Sequence, residues 1–369
     1  MDIGMHGGGR AIVLSGRTII PEIWLYCADG GTHKLCANLS SGHTSLTIRL
    51  SPPVARPFEP EGDICSYRHF RHSDFPQGMS PLVLVDHFIM TGPAVAPHPH
   101  AGISTVTLLL EDTQGGLRIR DSLDNEHEAR AGDLHWTVAG RGIVHGHDLV
   151  GAARLNGLRL YVNLPARLKS MPPSATLVRG WEMPVLQSDA GRVRVVSGRY
   201  DGWDAPLATP EPLLILDGWL RPGASRLVPL PAGWNAWLYA AQGELGVRAR
   251  HETTPPPRPP VEAAPVIPAA RFRPGGRAAT TGRRAADPDF AVLPPGAALT
   301  ATADRDGFLQ LLAAGAPAHF ILVAGAAIDE PVIQRGPFVM TDARALAQAV
   351  AAYEAGDFGQ LRQESGVPG

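Results

Sequence analysis

The stretch Pro97-His98-Pro99-His100-Ala101-Gly102-Ile103-Ser104-Thr105-Val106-Thr107-Leu108-Leu109-Leu110 joins a pair of histidines to a short run rich in Ile, Thr and Val. In an extended chain residues i and i+2 share a face, so His98 and His100 point the same way. One strand can thereby offer two nitrogen donors to one metal ion. The segment Ala139-Gly140-Arg141-Gly142-Ile143-Val144-His145-Gly146-His147 repeats the device. Four neutral imidazoles suit a first-row divalent metal, and Fe, Zn, Cu, Ni and Mn all accept nitrogen donors. The chain has 14 histidines, so pairs also arise by chance, and on pattern alone imidazoles hydrogen-bonded without a metal remain an alternative. The single histidines His69, His72, His87 and His135 are expected to be of that kind.

Around this stretch the chain reads as many short strands. Leu82–Val85, Thr105–Leu110, Leu117–Arg120, Ile143–His145 and Leu158–Val162 form one series. Val193–Val196, Leu213–Leu216, Ala236–Tyr239, Glu244–Arg248, Ala291–Leu293 and Phe320–Val323 form a second. Their length and their Val, Ile and Thr content favour β structure. An internal echo links the halves: Gly115-Gly-Leu-Arg-Ile-Arg120 followed by Gly132-Asp-Leu134 matches Gly243-Glu-Leu-Gly-Val-Arg248 followed by Phe290 to Gly296. Tandem antiparallel units of this kind predict a double barrel or jelly roll, which leaves few open sheet edges. The second half keeps only His251 and His319, so a metal belongs to the first unit. Trp181, Trp203, Trp219, Trp234 and Trp237 are expected to fill the second core.

The chain has 369 residues, 33 Lys+Arg and 35 Asp+Glu, for a formal charge of -2. That balance gives no global field for nucleic acid or anionic lipid, so direct nucleic-acid binding is not expected. The 41 glycines and 35 prolines make about a fifth of the chain, against roughly 12% in an average protein. Turns account for part of this excess. The Pro, Ala and Arg-rich tract between Arg250 and Asp289 accounts for more, and it is expected to be disordered because it has too little apolar surface to offset the entropy of ordering. Residues 1–50 lack periodicity and read as a poorly ordered extension. Three cysteines, Cys27, Cys36 and Cys65, an odd number with none in a Cys-x-x-Cys pair, make a disulfide framework improbable. No apolar run is long enough to span a membrane, and neither a P-loop nor a Gly-x-Ser-x-Gly elbow occurs. The expectation is a cytoplasmic monomer. One helix is signalled from Ala343 to Ala355, capped by Thr341 or Asp342, with Leu346, Val350 and Tyr353 on one stripe and Gly356 as its stop.

Longer motifs carry a family resemblance. Pro97 to Thr107, Arg120-Asp-Ser122, Gly132-Asp-Leu-His-Trp-Thr-Val-Ala-Gly-Arg-Gly-Ile-Val-His145 and Leu155 to Pro165 resemble the N-terminal half of pirins. Asp329-Glu-Pro-Val-Ile-Gln-Arg-Gly-Pro-Phe-Val-Met340 resembles their C-terminal signature. The resemblance spans about Val54 to Gly359. It implies an all-β bicupin, two tandem cupin barrels of the double-stranded β-helix (jelly-roll) type with a short C-terminal α-helix. The expected domains are an N-terminal cupin at 51–178 and a C-terminal cupin at 179–359 that carries the 251–288 insert, followed by a tail at 360–369.

The resemblance further implies iron, Fe(2+), in the first barrel on His98, His100 and His145. It implies either a quercetin 2,3-dioxygenase acting on a flavonoid-like enolic substrate, or an iron-dependent regulator that binds a transcription factor or metabolic enzyme. At the fourth ligand this chain departs from the family. Pirins typically end the motif with His-x-Glu, whereas His147 stands here, in the position of both fourth ligand and catalytic base. An imidazole makes the site one unit more positive and takes up a proton only by leaving the metal. Strand alternation points the adjacent Asp148 away from the site. Ser104 stands where many cupins carry a glutamate, which implies a pocket poorer still in carboxylates.

Overall fold

The computed structural model describes residues 48–362 except 63, 93, 94 and 251–286. The expected extension through residue 47, nearly all of the insert and residues 363–369 of the tail lie outside the described residues, as do Cys27 and Cys36.

The chain forms two tandem β-barrels, with a single α-helix among the described residues. In the first barrel seven strands lie in the order Ser174–Val178, Leu134–Val138, Ile103–Leu109, Ile143–Asn163, Leu82–Met90, Cys65–Arg71 and Glu59–Glu61, each antiparallel to its neighbours. Ile143–Asn163 is 21 residues long and passes through both layers. Its first half pairs with Val95–His100 and Gln114–Asp121, its second with Leu82–Met90 and Ile103–Leu109. The two strands expected at Ile143–His145 and Leu158–Val162 are thus the two ends of one.

In the second barrel a sheet ordered Ile48–Leu50, Ala297–Ala303, Trp234–Gln242, Ala318–Ala326, Leu213–Leu220, Gly191–Ser197 and Val185–Ser188 is joined by a four-stranded sheet. In that second sheet Leu245–Arg250 pairs with Phe290–Leu293, Leu245 opposite Leu293 and Arg248 opposite Phe290. The insert therefore connects the two strands of a hairpin. The sequence echo has a backbone counterpart: Gly132 and Gly296 both precede a strand of a barrel's larger sheet, with φ of 83° and 82°, a left-handed conformation that favours glycine.

Period-two alternation sorts the side chains into three layers. On Trp234–Gln242, Ala236, Leu238 and Ala240 fill the second barrel. Trp237 and Tyr239 point the other way, into an apolar layer shared with Phe70, Trp136, Leu158, Leu160 and Val162 of the first barrel. The tryptophans do not fill the second core as expected. Trp181 and Trp203 are 80% and 58% exposed, Trp237 lies between the barrels, Trp219 stacks on His319 at 4.4 Å, and Trp234 alone of the five packs against the second core. Pattern gives each tryptophan an apolar role but does not say which face its strand presents to which barrel.

Both ends of the described chain cross between the barrels. Ile48–Leu50 and Val54–Ala55 pair with Ala297–Ala303 of the second. The hairpin Ile333–Arg335/Phe338–Met340 returns to the first, where Val339 N–H donates to the Ala101 carbonyl at 3.1 Å. Lys169 clamps it, donating from Nζ to the carbonyls of Gly102 (2.8 Å) and Val339 (3.0 Å) and to Asn163 Oδ1 (2.7 Å). Gly102, at φ 77°, permits this approach, since a Cβ there would lie 1.9 Å from the Val339 oxygen. The helix Ala343–Glu354 follows, capped by Asp342, whose carboxylate accepts from Ala345 N–H at 2.8 Å. Phe338, Met340, Ala349 and Phe358 then pack on Ala101 and Val144. Among the described residues no helix is long and apolar enough to cross a membrane.

Replacing Trp237 by Ala is expected to cost about 3–5 kcal/mol, and Trp181→Ala less than about 0.5 kcal/mol. Urea unfolding of the two variants checks this; equal midpoints would contradict the layer assignment.

Candidate metal centre

The site lies inside the first barrel, where the polar positions of alternating strands converge. His98 and His145 are cross-strand partners, and His100 pairs with Ile143. One ligating nitrogen from each of His98, His100 and His145 lies within 4.8 Å of the others. His98 Nδ1 donates to the Ala96 carbonyl at 2.9 Å, which leaves its Nε2 lone pair free. That Nε2 stands 3.1 Å from His145 Nε2. Neighbouring nitrogens that share one ion at about 2.1 Å each are expected roughly 3 Å apart. His145 Nδ1 and both nitrogens of His100 are buried with no hydrogen-bond partner. Buried polar groups without partners are uncommon, and His100, which holds two of them, offers one nitrogen to the convergent set. The donor set therefore fits a divalent transition metal held by three imidazoles.

Burial keeps these rings neutral, the state a metal requires. It depresses His100 to about 3, assisted by His98 and the Arg159 guanidinium. Burial likewise lowers His98 and, with their imidazole neighbours and Arg159, takes His145 and His147 well below the usual range.

His147 stands apart from the three. Its Nδ1 is 3.2 Å from the Arg159 guanidinium, and its ring centre is 4.7 Å from that of His145 and 5.9 Å from that of His98. The strand register slips here: His145 faces His98 but His147 faces Val95. Asp148 turns outward to Arg120 at 2.7 Å, as alternation predicts. Ser104 does not face the metal pocket. Its buried side chain lines a separate cavity between the barrels with Trp136, Leu164 and Leu213, because Ile103, its neighbour on the strand, takes the inward face.

A cavity of about 250 Å³ opens onto His98 and His100. Val83, Leu84, Ile103 and Tyr161 of the first barrel line it, together with Gln334, Gly336, Pro337 and Val339 of the returning hairpin. The Tyr161 hydroxyl interacts with both Arg159 and the Asp86 carboxylate, and Asp86 bonds His69 Nδ1 at 2.7 Å.

With this geometry in place the relatives can be compared. The Pirin family model matches residues 61–162 and the Pirin C-terminal cupin domain matches residues 287–359. A pirin-like protein of Solanum lycopersicum is 30% identical over 284 residues, which cover 77% of this chain and 83% of that protein. The chain belongs to the pirin family. Among solved structures, quercetin 2,3-dioxygenase from Acinetobacter baumannii superposes with a TM-score of 0.66 at 21% identity, covering 85% of this chain and 99% of that one. The bacterial pirin YhhW of Escherichia coli, in complex with nickel(II), gives 0.50 at 16% identity over 76% and 100% of the two chains. These likenesses establish the bicupin fold.

Among the described residues this pirin's second barrel carries no counterpart of the site. Its interior is packed with apolar side chains such as Leu216, Leu238 and Leu299, and His319 lies on the outer face of its strand, bonded by Nε2 to Asp217 at 2.7 Å. The other single histidines are hydrogen-bonded as expected, His72 to the Met79 N–H and His87 to Tyr239 and Asn156. His135 pairs with His127 at 3.1 Å. Sequence reading missed Arg159, Tyr161 and the hairpin wall. Arg159 and Tyr161 had a signal, since they are the polar positions alternating with Leu158, Leu160 and Val162.

Burial lowers His87 to about 4 and His135 to about 3, as it does His100. Groups with a depressed folded pKa bind protons mainly in the unfolded chain, so stability is full above about pH 6.5 and falls below it. The slope is expected to reach about 1.4 kcal/mol per pH unit for each group. Urea unfolding of the metal-free protein at several pH values between 7.5 and 4 measures it, and a flat profile would refute neutral burial.

Proposed function

We propose that this pirin holds one divalent ion, Fe(2+) in our reading, on His98, His100 and His145, and cleaves a flavonol or related enolic substrate with dioxygen in the manner of a quercetin 2,3-dioxygenase. The convergence of one nitrogen from each of three buried or half-buried imidazoles, two of which line the 250 Å³ cavity, carries the proposal. The names of the quercetin dioxygenase and of the nickel-bound YhhW among its structural neighbours support it, and Ni, Zn, Cu and Mn suit the same donors. A bound ion would supply Lewis acidity and, if redox-active, electron exchange with dioxygen.

The chain's own contribution follows from the cavity walls. Val83, Leu84, Ile103, Pro337 and Val339 offer an apolar slot for a flat ring system, and Tyr161 and Gln334 supply polar groups at its edge. The hairpin closes one side and excludes water there, which strengthens electrostatic interactions within.

A second reading has its own observation. No carboxylate acts on His98 or His100, and Asp86 meets the cavity by way of the Tyr161 hydroxyl, so no acidic side chain faces an enol proton beside those two ligands. That favours an iron-dependent regulatory pirin whose site tunes the surface shown to a protein partner. The two readings differ in outcome. The dioxygenase reading expects oxygen uptake when metal-loaded protein meets quercetin, and absence of turnover with Fe, Mn, Ni, Co and Cu would sink it. The regulatory reading expects a partner captured from the native cell to be lost from a folded His98→Ala, His100→Ala variant; capture indifferent to metal removal would count against it. Elemental analysis is expected to find one ion per chain in the wild type and none in that double variant.

A further inference from the structure

The charge pattern around His147 extends the metal-binding reading, on which this inference rests. Arg159 is 8% exposed inside the first barrel, with its guanidinium 5.6 Å over the Phe88 ring and its Nε without a partner. A guanidinium has donors only, so at 3.2 Å it donates and His147 Nδ1 accepts. A neutral imidazole that accepts at Nδ1 carries its proton on Nε2. His147 therefore presents an N–H at its other nitrogen rather than a lone pair. It is a hydrogen-bond donor where the three convergent histidines are metal donors.

The nearby carboxylates have other partners, and Asp86, which faces Arg159 across the strand pair, also reaches the Tyr161 hydroxyl. Asp86 bonds His69 at 2.7 Å and Asp148 bonds Arg120 at 2.7 Å. Asp121 accepts from the Leu123 and Asn125 N–H groups at 2.9 and 3.1 Å. A divalent ion on three neutral imidazoles, beside a buried guanidinium, would gather about three positive charges against the one carboxylate of Asp86, and an uncompensated buried charge is costly. An incoming anion removes that cost, and the unpartnered Arg159 Nε–H and the His147 Nε2–H are the donors on offer.

We propose that Arg159 withholds His147 from the metal and that the two together, beside the metal, form a subsite for an anionic ligand, a carboxylate or the enolate form of an enolic compound. The substrate on this view binds already ionised, and its negative charge stands in for the carboxylate that the protein lacks.

Cobalt(II)-loaded protein titrated with azide tests this through the visible absorption of the ion, with no turnover needed. Azide is expected to bind saturably, and Arg159→Gln to weaken it about tenfold or more while one cobalt per chain is retained, a loss typical of a charge-assisted hydrogen bond. Arg159→Lys should recover part of that affinity. Azide binding unchanged in Arg159→Gln, or absent from the wild type, overturns the proposal. His147→Ala decides the matter should Arg159→Gln fail to fold: cobalt affinity within about threefold of wild type with weakened azide supports a withheld donor. Cobalt affinity lost by more than about tenfold, a typical cost of removing a metal-site residue, overturns it. Absence of cobalt uptake by the wild type overturns the metal reading itself, whereas uptake with indifferent azide binding overturns this inference alone.

Discussion

One apolar layer organises the molecule. Phe70, Trp136, Leu158 and Leu160 of the first barrel meet Trp237, Tyr239, Ile321 and Val323 of the second, and burial of this surface is the main force joining the barrels. Each strand that contributes to the layer has its other face committed by alternation. In the second barrel that face is aliphatic and fills the interior. In the first it carries Arg159 and Tyr161 beside the histidines. The same constraint that joins the two halves thus decides which of them can hold a metal.

Polar groups buried at the same junction fix how the barrels meet. Asp112 accepts from Asn156, whose Oδ1 accepts from His87 Nε2 at 2.7 Å; His87 Nδ1 in turn accepts from the Tyr239 hydroxyl at 2.6 Å, and Tyr239 accepts from Arg68. Every member has a defined role, so the chain of bonds is directional across the junction. A second set runs from the Gly132 carbonyl through Arg194 (2.7 Å) to Asp217 (2.6 Å) and His319 (2.7 Å). Apolar contact alone would tolerate sliding of one sheet over the other. These bonds tolerate much less, because a shift would leave buried polar groups without partners.

Much of this was legible in the sequence for a local reason. His98, His100 and His145 share a face because alternation is a property of neighbouring residues, and the helix at Ala343–Glu354 follows from its cap and its stop. What stayed hidden depends on contacts between distant residues. Nothing near Ser104 tells which sheet face it takes, and nothing near Trp181 or Trp203 reveals that no second layer covers them. The split between three convergent histidines and His147 arises from a one-residue register slip against Val95. Arg159 is the intermediate case. Its place among Leu158, Leu160 and Val162 marks it as facing inward, but its partner could not be named until both strands were placed.

The hairpin Ile333–Arg335/Phe338–Met340 gives the site an unusual order of assembly. The imidazoles precede the hairpin in the chain, and one wall of their cavity is supplied by residues about 190 positions later than the last of them. The first barrel can present its ligands early, but its pocket closes only after the second barrel has been made. During synthesis the nascent site is therefore open to any passing ion, and the selectivity that an enclosed cavity confers arrives only with the hairpin.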